Sequence, residues 1–444
     1  MPSKALLRAG AALRAAEAVP AAAAAITGQV SPAELLADRN RSVGDWDDAD
    51  QVKWLQSVDV DLFRGHGKLT GVRQVQVVAE DGTVTDLSAR HAVAVATGSA
   101  ALLPDIPGLA NSSPWTSREA TSVQSVPEHL VILGGGVVGV EMATAYLDLG
   151  AQVTLIARSG LLGNVEPFAG EAVAAALRER GATILTGVGV SAVRRDPHAG
   201  ADGFAATRSH HAAHLGPVTV TLSDGSTVTG TEVLVAAGRL PRTMDLGLGS
   251  IGLTDGDWLD VDDNLRVAGH DWLYAVGDVN HRVLLTHQGK YQARAAGDLI
   301  AAAATGAQLD TGPWGRHSAT ADGRAVPQVV FTDPEVAAVG LTARAADEDG
   351  YRTRVVDYNL GWVEGAVLHA DGYTGQARMV VDEDRGVMLG MTVVGPDVAE
   401  LAHAATIAIV GEVPISRLWH AVPSFPTLSE VWLRLLETYG RDSA

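Results

Sequence analysis

A glycine-rich stretch in the first half of the chain constrains the fold more than any other feature. Residues 131–141 read VILGGGVVGVE, in which Gly134, Gly136 and Gly139 satisfy the pattern G-x-G-x-x-G. An apolar segment precedes the glycines and a helical pattern follows them, as in a dinucleotide-binding βαβ unit. The first glycine would allow a tight turn, the second a close approach of a pyrophosphate, and the third close packing of the helix. The stretch therefore predicts a pyridine-dinucleotide site; the alternative is a glycine-rich turn in an ordinary α/β domain.

The end of the next predicted strand bears on which nucleotide is bound. An acidic residue there favours NAD, whereas a cation favours the 2′-phosphate of NADP. This strand ends in Ala157, and Arg158 follows. We therefore expect NADP, with NAD as the alternative; Arg158 would otherwise be a solvated charge at a strand end.

The composition describes a large acidic protein with a folded core. The chain has 444 residues, 47% of them hydrophobic, and a formal net charge of −19. So acidic a surface repels phosphate backbones and anionic lipid, and we expect neither nucleic acid nor a membrane as a partner. The sequence contains no cysteine, which excludes thiolate metal sites and a cysteine nucleophile within it. Without an export signal or a long apolar run, a cytoplasmic location is expected.

The remaining pattern alternates between apolar strands and helices. Helices are expected at residues 1–25, 32–55, 140–149, 171–180 and 288–304, and three more between 326 and 444. Hairpins are expected around Gly82 and Gly225. The segment Gly65–Gly71 (GHGKLTG) has the wrong spacing for a phosphate loop, so we interpret it as a hairpin turn. His210, His211 and His214 lack a neighbouring carboxylate pattern, and no metal site is expected there.

Two further turns follow apolar strands. Thr97 and Gly98 follow residues 92–96, and Asp278 follows Gly277 after residues 273–276. A carboxylate at the carboxyl end of a parallel sheet can accept a hydrogen bond from a sugar or ribityl hydroxyl. Gly-Asp alone is a common turn, so this observation needs support from the rest of the sequence.

That support comes from five segments in a fixed order: VAVATGS, VILGGGVVGVE, VLVAAGRLP, LYAVGDV and SFPTLSE. Together they resemble the pyridine nucleotide-disulfide oxidoreductase family, and the resemblance runs from end to end. It implies an α/β fold with two Rossmann-like domains for FAD and NAD(P), one inserted in the other, and a C-terminal α+β dimerisation domain. The implied boundaries are 1–125 and 246–318 for the FAD domain, 126–245 for the NAD(P) domain and 326–444 for dimerisation.

The resemblance also implies a function and cofactor-binding residues. A homodimeric enzyme would transfer hydride from NAD(P)H to FAD and then to a small-molecule acceptor. FAD would lie along the first sheet, near Thr97 and Gly98, with Asp278 on its ribityl chain. Gly238 would close the nicotinamide domain, and the helix beginning near Thr286 would direct its N-terminus at the flavin.

Three residues take catalytic roles by the same resemblance. Glu141 would pair with Lys4 near flavin N5, and the alternative for Glu141 is compensation of a helix dipole. Glu430 would be the acidic partner of a catalytic histidine. Phe425 stands where disulfide reductases of the family carry that histidine, and phenylalanine cannot transfer a proton. His420 could replace it only if its loop folds back.

The start of the chain departs from the family as well. The family begins with a βαβ unit carrying the FAD-pyrophosphate loop, then C-x-x-x-x-C and a run similar to Pro-Ser-Lys, whereas this chain opens Met1-Pro2-Ser3-Lys4. We expect the missing segment to be encoded upstream of Met1; the alternative is a truncated protein that retains FAD poorly. The acceptor therefore stays open between a disulfide, a quinone and another small molecule. The alternative function is an FAD-free NAD(P)H-binding or dimerising protein without catalysis.

Overall fold

The computed structural model describes residues 2–196 and 216–441. The chain divides into two compact units. The first unit comprises Met1–Trp46, Leu102–Gly238 and Pro327–Ala444, and the second comprises Asp47–Ala101 and Arg239–Val326. The first unit thus groups residues before Trp46 with the glycine loop, whereas the domain boundaries expected from the sequence assign them to different domains.

The described residues form thirteen α-helices and nineteen strands. The helices are α1 Pro2–Glu17, α2 Pro20–Ala23, α3 Pro32–Ser42, α4 Ala49–Ser57, α5 Ser117–Ser122, α6 Val137–Asp148, α7 Pro167–Glu179, α8 Thr286–Thr305, α9 Ala343–Glu348, α10 Glu364–His369, α11 Leu401–Val410, α12 Ile415–Leu418 and α13 Glu430–Tyr439. The strands are β1 His66–Gly71, β2 Gln74–Val78, β3 Val84–Ser88, β4 Val93–Val95, β5 Ser99–Ala101, β6 His129–Leu133, β7 Gln152–Ala157, β8 Thr183–Thr186, β9 Val190–Arg195, β10 Val218–Leu222, β11 Thr227–Gly230, β12 Glu232–Val235, β13 Arg239–Pro241, β14 Leu273–Ala275, β15 Pro327–Val330, β16 Glu335–Gly340, β17 Thr353–Asn359, β18 Gln376–Asp382 and β19 Val387–Gly395.

A four-stranded parallel sheet lies at the centre of the first unit, in the order β12-β6-β7-β8. Residues Leu130–Leu133 of β6 are buried because both faces of the sheet are covered, which explains their continuous apolar sequence. Helix α6 follows β6 directly and returns the chain to β7, so the βαβ unit predicted from the glycine pattern is present. The antiparallel sheet β11-β10-β9 packs its apolar side chains in a second core cluster with β6 and β12.

Helix α1 also belongs to the core of the first unit. Leu6 and Leu7 are buried in one apolar cluster with Met142 and Tyr146 of α6. Arg14 pairs with Asp148 at the end of α6. Burial raises the pKa of the Asp148 carboxyl, and the charge of Arg14 opposes that shift. These contacts fix the start of the chain against the helix that follows the glycine loop.

The C-terminal part of the first unit is a five-stranded antiparallel sheet in the order β15-β16-β19-β18-β17. Strand β19 is buried along its whole length. Five helices, α9 to α13, accompany this sheet, so the expectation of three helices between residues 326 and 444 was wrong. Three of the five helices, α9, α10 and α12, have only four to six residues, and segments so short show no helical periodicity in the sequence.

The second unit contains a meander, β1-β2-β3, and two short pairs. Strand β14 pairs with β4 in parallel, and β13 pairs antiparallel with β5. Residues 66–71 form strand β1 instead of the expected turn, because Leu69 is buried and the segment pairs with β2. The chain reverses at Val72 and Arg73, the latter at φ 57°.

The expected helix over residues 32–55 is also interrupted. Gly44, Asp45 and Trp46 all have positive φ values, so α3 ends before them and α4 begins only at Ala49. Within residues 2–196 and 216–441, no helix combines the length and apolar character required to cross a bilayer.

Candidate nucleotide-binding sites

The glycine loop joins β6 to α6 with very little space around two of its three glycines. Gly134 has φ 123°, and a Cβ there would lie 2.2 Å from the carbonyl oxygen of Ala236. A Cβ at Gly139 would lie 2.0 Å from the carbonyl oxygen of Gly134. Gly136, the N-cap of α6, has open space around it. The turn is therefore tight on its protein side and free where the helix N-terminus faces outward, as an anion site requires.

This open side faces a cleft of about 700 Å³ at the carboxyl end of the parallel strands. The cleft is lined by the glycine loop, the end of β7 with Arg158, the start of β9, and residues 236–238. Its volume suits a bound nucleotide, since such pockets occupy about 300–1,000 Å³. Gly238 lies in the wall, where its carbonyl oxygen accepts a hydrogen bond from Leu102 N at 2.9 Å.

Arg158 is exposed at the edge of this cleft. It has no hydrogen-bond or ion-pair partner among residues 2–196 and 216–441, whereas the buried Arg195 and the half-buried Arg180 both contact carboxylates. Its guanidinium is thus available to an anion in the cleft, and Ala157 offers no competing carboxylate.

Lys4 and Glu141 are adjacent, although 137 residues separate them in the sequence. Lys4 Nζ donates to both oxygens of Glu141, at 2.7 and 2.5 Å. The Glu141 side chain is buried and also accepts a hydrogen bond from Phe331 N at 3.0 Å. Lys4 Nζ lies 4.9 Å from the centre of the Phe331 ring. Because Lys4 is more exposed than Glu141, the pair presents its ammonium group toward solvent and keeps its carboxylate inside.

In the second unit, the turns after β4 and β14 meet through a hydrogen-bonded chain. Ser99 Oγ donates to Asp278 Oδ2 and accepts from Arg239 Nε. Arg239 Nε lies 3.5 Å from the same carboxylate oxygen. Gly98 has φ 71° and open space around it, and Thr97 is exposed. Asp278 is therefore fixed in orientation while about a quarter (26%) of its side chain stays accessible.

Thr286 is the first residue of α8, the helix that follows this turn. The helix passes so close to the turn that a Cβ at Gly289 would lie 3.2 Å from Gly277 Cα. No side chain caps the helix, so its first N–H groups are available to a ligand. The predicted residues Thr97, Gly98, Asp278 and Thr286 thus all belong to one structural unit.

Glu430 lies in the first turn of α13. Its Oε1 accepts a hydrogen bond from Arg434 Nη2 at 2.5 Å, and its Oε2 is buried without a hydrogen-bond partner among the described residues. Phe425 is 72% exposed, and His420 is exposed as well. Within the described part of the chain, Glu430 contacts no histidine, so it does not form an acid–base pair there.

Arg239 and Gln292 hold the Asp278 turn from two sides. The sequence predicted Arg239 only as part of the Gly238-Arg239 pair that closes the nicotinamide domain, and it did not predict a role for Gln292. The only available signal was Arg239 within VLVAAGRLP; Gln292 lies in an unremarkable helical pattern. Among the described residues no group of three or more His, Asp or Glu side chains has the arrangement of a metal site. His210, His211 and His214 lie outside the described residues.

Comparison with known proteins identifies the family. The pattern described as pyridine nucleotide-disulphide oxidoreductase matches residues 1–296, and the dimerisation domain of that family matches residues 326–435. The chain belongs to the pyridine nucleotide-disulphide oxidoreductase family. This confirms the family, the fold class and the class of enzyme predicted from the five ordered segments, and the family's cofactors are FAD and NAD(P)H.

Individual relatives align over most of the chain. A mercuric reductase from Shigella flexneri is 30% identical over 447 residues, covering 100% of this chain and 74% of the reductase. A dihydrolipoyl dehydrogenase from Haloferax volcanii is 32% identical over 357 residues, covering 77% of this chain and 67% of the dehydrogenase. Among solved structures, LpdA from Mycobacterium tuberculosis has a TM-score of 0.78 at 25% identity and covers 98% of this chain and 89% of LpdA.

A second solved structure supports the fold alone. The flavoprotein disulfide reductase RclA from Escherichia coli has a TM-score of 0.78 at 21% identity, covering 98% of this chain and 88% of RclA.

Proposed function

We propose that this protein transfers hydride from NADPH to FAD and passes the electrons to a small-molecule acceptor. The observation that carries this proposal is the cleft at the glycine loop. It combines open space at Gly136 with Arg158 at the end of the adjacent strand, whose side chain has no partner among the described residues. A dinucleotide that carries an additional phosphate on its ribose uses both features.

In the first unit we assign three tasks to named groups. The N-terminus of α6 binds the pyrophosphate, since its backbone N–H groups and dipole favour an anion. Arg158 binds the 2′-phosphate through charge-assisted hydrogen bonds. Lys4, oriented by the Glu141 carboxylate, supplies a fixed positive charge at the reacting end of the flavin.

The second unit fits the sugar-alcohol chain of FAD. Asp278 is held by Ser99 with part of its carboxylate accessible, so it can accept hydrogen bonds from ribityl hydroxyls. Gly98 leaves open space beside it, and the uncapped N-terminus of α8 begins at Thr286. When bound, FAD supplies the two-electron chemistry that no side chain of this protein can supply.

The acceptor follows from what the C-terminal segment contains. We propose a small molecule reduced directly by the flavin, as a quinone is. The residue that favours this acceptor is Phe425, which occupies the position at which reduction of a disulfide would need an acid–base histidine. Glu430, with Arg434 as its partner, then has a structural task at the start of α13.

We further propose a homodimeric, cytoplasmic protein with the FAD domain at residues 1–125 and 246–318, the NAD(P) domain at 126–245 and the dimerisation domain at 326–444. The dimerisation-domain match and the exposed apolar side chains of the C-terminal sheet and its helices support the dimer.

The test is the visible absorption spectrum of the purified chain under anaerobic conditions. Flavin bands that bleach faster with NADPH than with equimolar NADH are expected. Bands that persist with both nucleotides would contradict hydride transfer. If no flavin is taken up even after incubation with FAD, while NADPH binds, the protein is instead an FAD-free nucleotide-binding protein.

A further inference from the structure

The Gly277–Asp278 turn is supported by a buried polar network that its flavin role alone does not explain. Gln292, on α8, is completely buried. Its Oε1 accepts hydrogen bonds from Gly277 N at 2.7 Å and from Asn280 Nδ2 at 2.9 Å. Asn280 Nδ2 also donates to Ala275 O, at the end of β14, at 3.0 Å. One amide oxygen therefore ties the turn to the helix and to the preceding strand.

Gln292 can do this in only one of its two amide orientations. Gly277 N is a backbone donor, so the oxygen of Gln292 must face it, and the Gln292 NH2 group must face away. A buried NH2 group needs an acceptor, and an unsatisfied one is costly. The orientation of Gln292 therefore depends on what lies on its other side.

Asp322 lies there. Its Oδ2 accepts from Gln292 Nε2 at 2.8 Å, and its Oδ1 accepts from Gln288 Nε2 at 2.9 Å. Arg282 Nε lies 3.2 Å from Oδ2. Three donor groups, one from each of these residues, thus surround a single buried carboxylate. Burial raises the pKa of the Asp322 carboxyl, and the hydrogen bonds and charge of these donors act against that shift.

The orientation of the Gln292 amide is important because the backbone of α8 lies very close to the backbone of the Gly277–Asp278 turn. A Cβ at Gly289 would lie 3.2 Å from Gly277 Cα, so the first turns of α8 touch the turn without a side chain between them. A flipped amide would place an NH2 group against Gly277 N, and two donors would repel each other.

We propose that Asp322 is a positioning residue for the flavin site, which orients Gln292 so that the Gly277–Asp278 turn holds its carboxylate in the flavin-binding arrangement. This inference rests on the proposed function for its flavin part. Asp322 does not touch the flavin itself; it acts through Gln292 and Gly277.

The first variant is Asp322→Asn, which keeps the shape and removes one acceptor group. An amide offers one acceptor oxygen for three donors and adds an NH2 group of its own. If the turn then spends only about a tenth of its time in the binding arrangement, the dissociation constant for FAD rises about tenfold. Asp263→Asn is the matched control, because Asp263 is the exposed outer partner of Arg282 and does not contact Gln292.

The second variant exchanges donor and acceptor. In Asp322→Asn/Gln292→Glu, the carboxylate at 292 still accepts from Gly277 N and Asn280, and the new amide at 322 donates to it. The buried negative charge stays single, and the oxygen at 322 remains available to Gln288, whereas Arg282 loses its acceptor at 322 and keeps the one at Asp263. Because residues in contact couple, this exchange should restore the properties that depend on the orientation of Gln292, whereas an effect independent of that orientation would remain.

Two measurements decide the matter: the dissociation constant for FAD, from flavin fluorescence, and amide hydrogen exchange at Gly277–Asn280 in the flavin-free chain. We expect Asp322→Asn to weaken FAD binding about tenfold and to accelerate exchange at these amides. We expect the control to do neither and the double variant to restore most of both. Wild-type values for Asp322→Asn, or a double variant worse than the single one, would overturn the inference. If the wild type takes up no FAD, the proposed function and the flavin part of the inference fail, while the exchange data still decide whether Asp322 holds the turn.

Discussion

Replacing two glycines of the nucleotide loop with alanine separates the folding role of the loop from its binding role. A Cβ at Gly139 would lie 2.0 Å from the oxygen and 3.1 Å from the carbon of the Gly134 carbonyl group. Both atoms belong to the backbone, so neither can move without moving the turn. A Cβ at Gly136 would meet nothing within 4 Å. The φ of −78° and ψ of −176° at Gly136 are accessible to any residue.

The clash at Gly139 determines the size of its effect. Relieving it requires α6 to shift by about 1 Å or more relative to β6, since nonbonded carbon contacts are normally about 3.5 Å or longer. Overpacking costs about 1–3 kcal/mol, and the higher helix propensity of alanine offsets about 1 kcal/mol. Because backbone atoms take the strain, we expect Gly139→Ala to lower stability by about 2 kcal/mol, or Tm by roughly 4–8 °C.

Gly136→Ala should behave in the opposite way. Its effect on stability should stay within about 1 kcal/mol, because a weaker N-cap and a stiffer unfolded chain partly cancel. Its methyl group would occupy the space through which a pyrophosphate approaches the N-terminus of α6. We expect the dissociation constant for NADPH to rise at least about tenfold, equivalent to ~1.4 kcal/mol.

The assay pairs thermal unfolding with a fluorescence titration of NADPH on the same preparations. An unchanged or raised Tm of Gly139→Ala would contradict the clash, since helix propensity alone would have that effect. If Gly136→Ala binds NADPH as tightly as the wild type does, the open space at Gly136 is not the pyrophosphate site.

Three further substitutions each test one charged side chain. Arg158→Ala should raise KM for NADPH about tenfold or more, which corresponds to the loss of a charge-assisted hydrogen bond, and should leave KM for NADH unchanged. The control is Arg178→Ala, which removes another exposed arginine of the same unit. Equal losses with both nucleotides would argue against a phosphate contact. Lys4→Met should slow flavin reduction and destabilise the fold by about 1–3 kcal/mol, because Glu141 stays buried without its main partner. Flavin reduction at the wild-type rate in a stopped-flow experiment would exclude the proposed role of Lys4 at the flavin. Burial raises the pKa of Glu335 in the folded protein. Protonated Glu335 therefore stabilises the fold at pH values below the pKa that Glu335 has in the unfolded chain. This stabilisation is lost as the pH rises through the pKa of Glu335 in the folded protein. Glu335→Gln should therefore be more stable than the wild type at pH 7 by a margin that shrinks toward pH 4.5; a margin constant across scans at several pH values would contradict this.

The sequence was most informative where geometry is local. Gly134, Gly136 and Gly139 define one turn, and backbone conformation within a turn depends on residues that are neighbours in the chain. The hairpin turns near Gly82 and Gly225 were predictable for the same reason, and both strand pairs form. The family resemblance added the rest of the architecture, because five motifs in order specify a topology that no single motif can specify.

The parts that escaped prediction depend on long-range contacts or on very short elements. About 40 to 180 residues of the chain separate Ser99, Arg239 and Asp278 from one another. A periodic pattern of apolar residues does not predict contacts between residues so far apart in sequence. The sequence does not predict the contact between Gln292 and Asp322 either, because a buried glutamine on a helix cannot be told from an exposed one by its sequence context. The break after α3 required three consecutive positive φ values at Gly44, Asp45 and Trp46, two of which belong to residues that seldom adopt them.

The exposed apolar side chains of the C-terminal part of the first unit have a consequence for how the stability of this protein is measured. Among the described residues they are Tyr351, Val355, Trp362, Val367, Leu368, Ile407, Val410, Val422 and Phe425. If a second copy of the chain covers them, unfolding becomes coupled to dissociation, and the law of mass action applies. The midpoint of unfolding then rises with protein concentration, so a single melting temperature describes a solution rather than a molecule. Comparisons between variants are valid only at matched protein concentrations, and a variant that weakens association imitates one that weakens the fold.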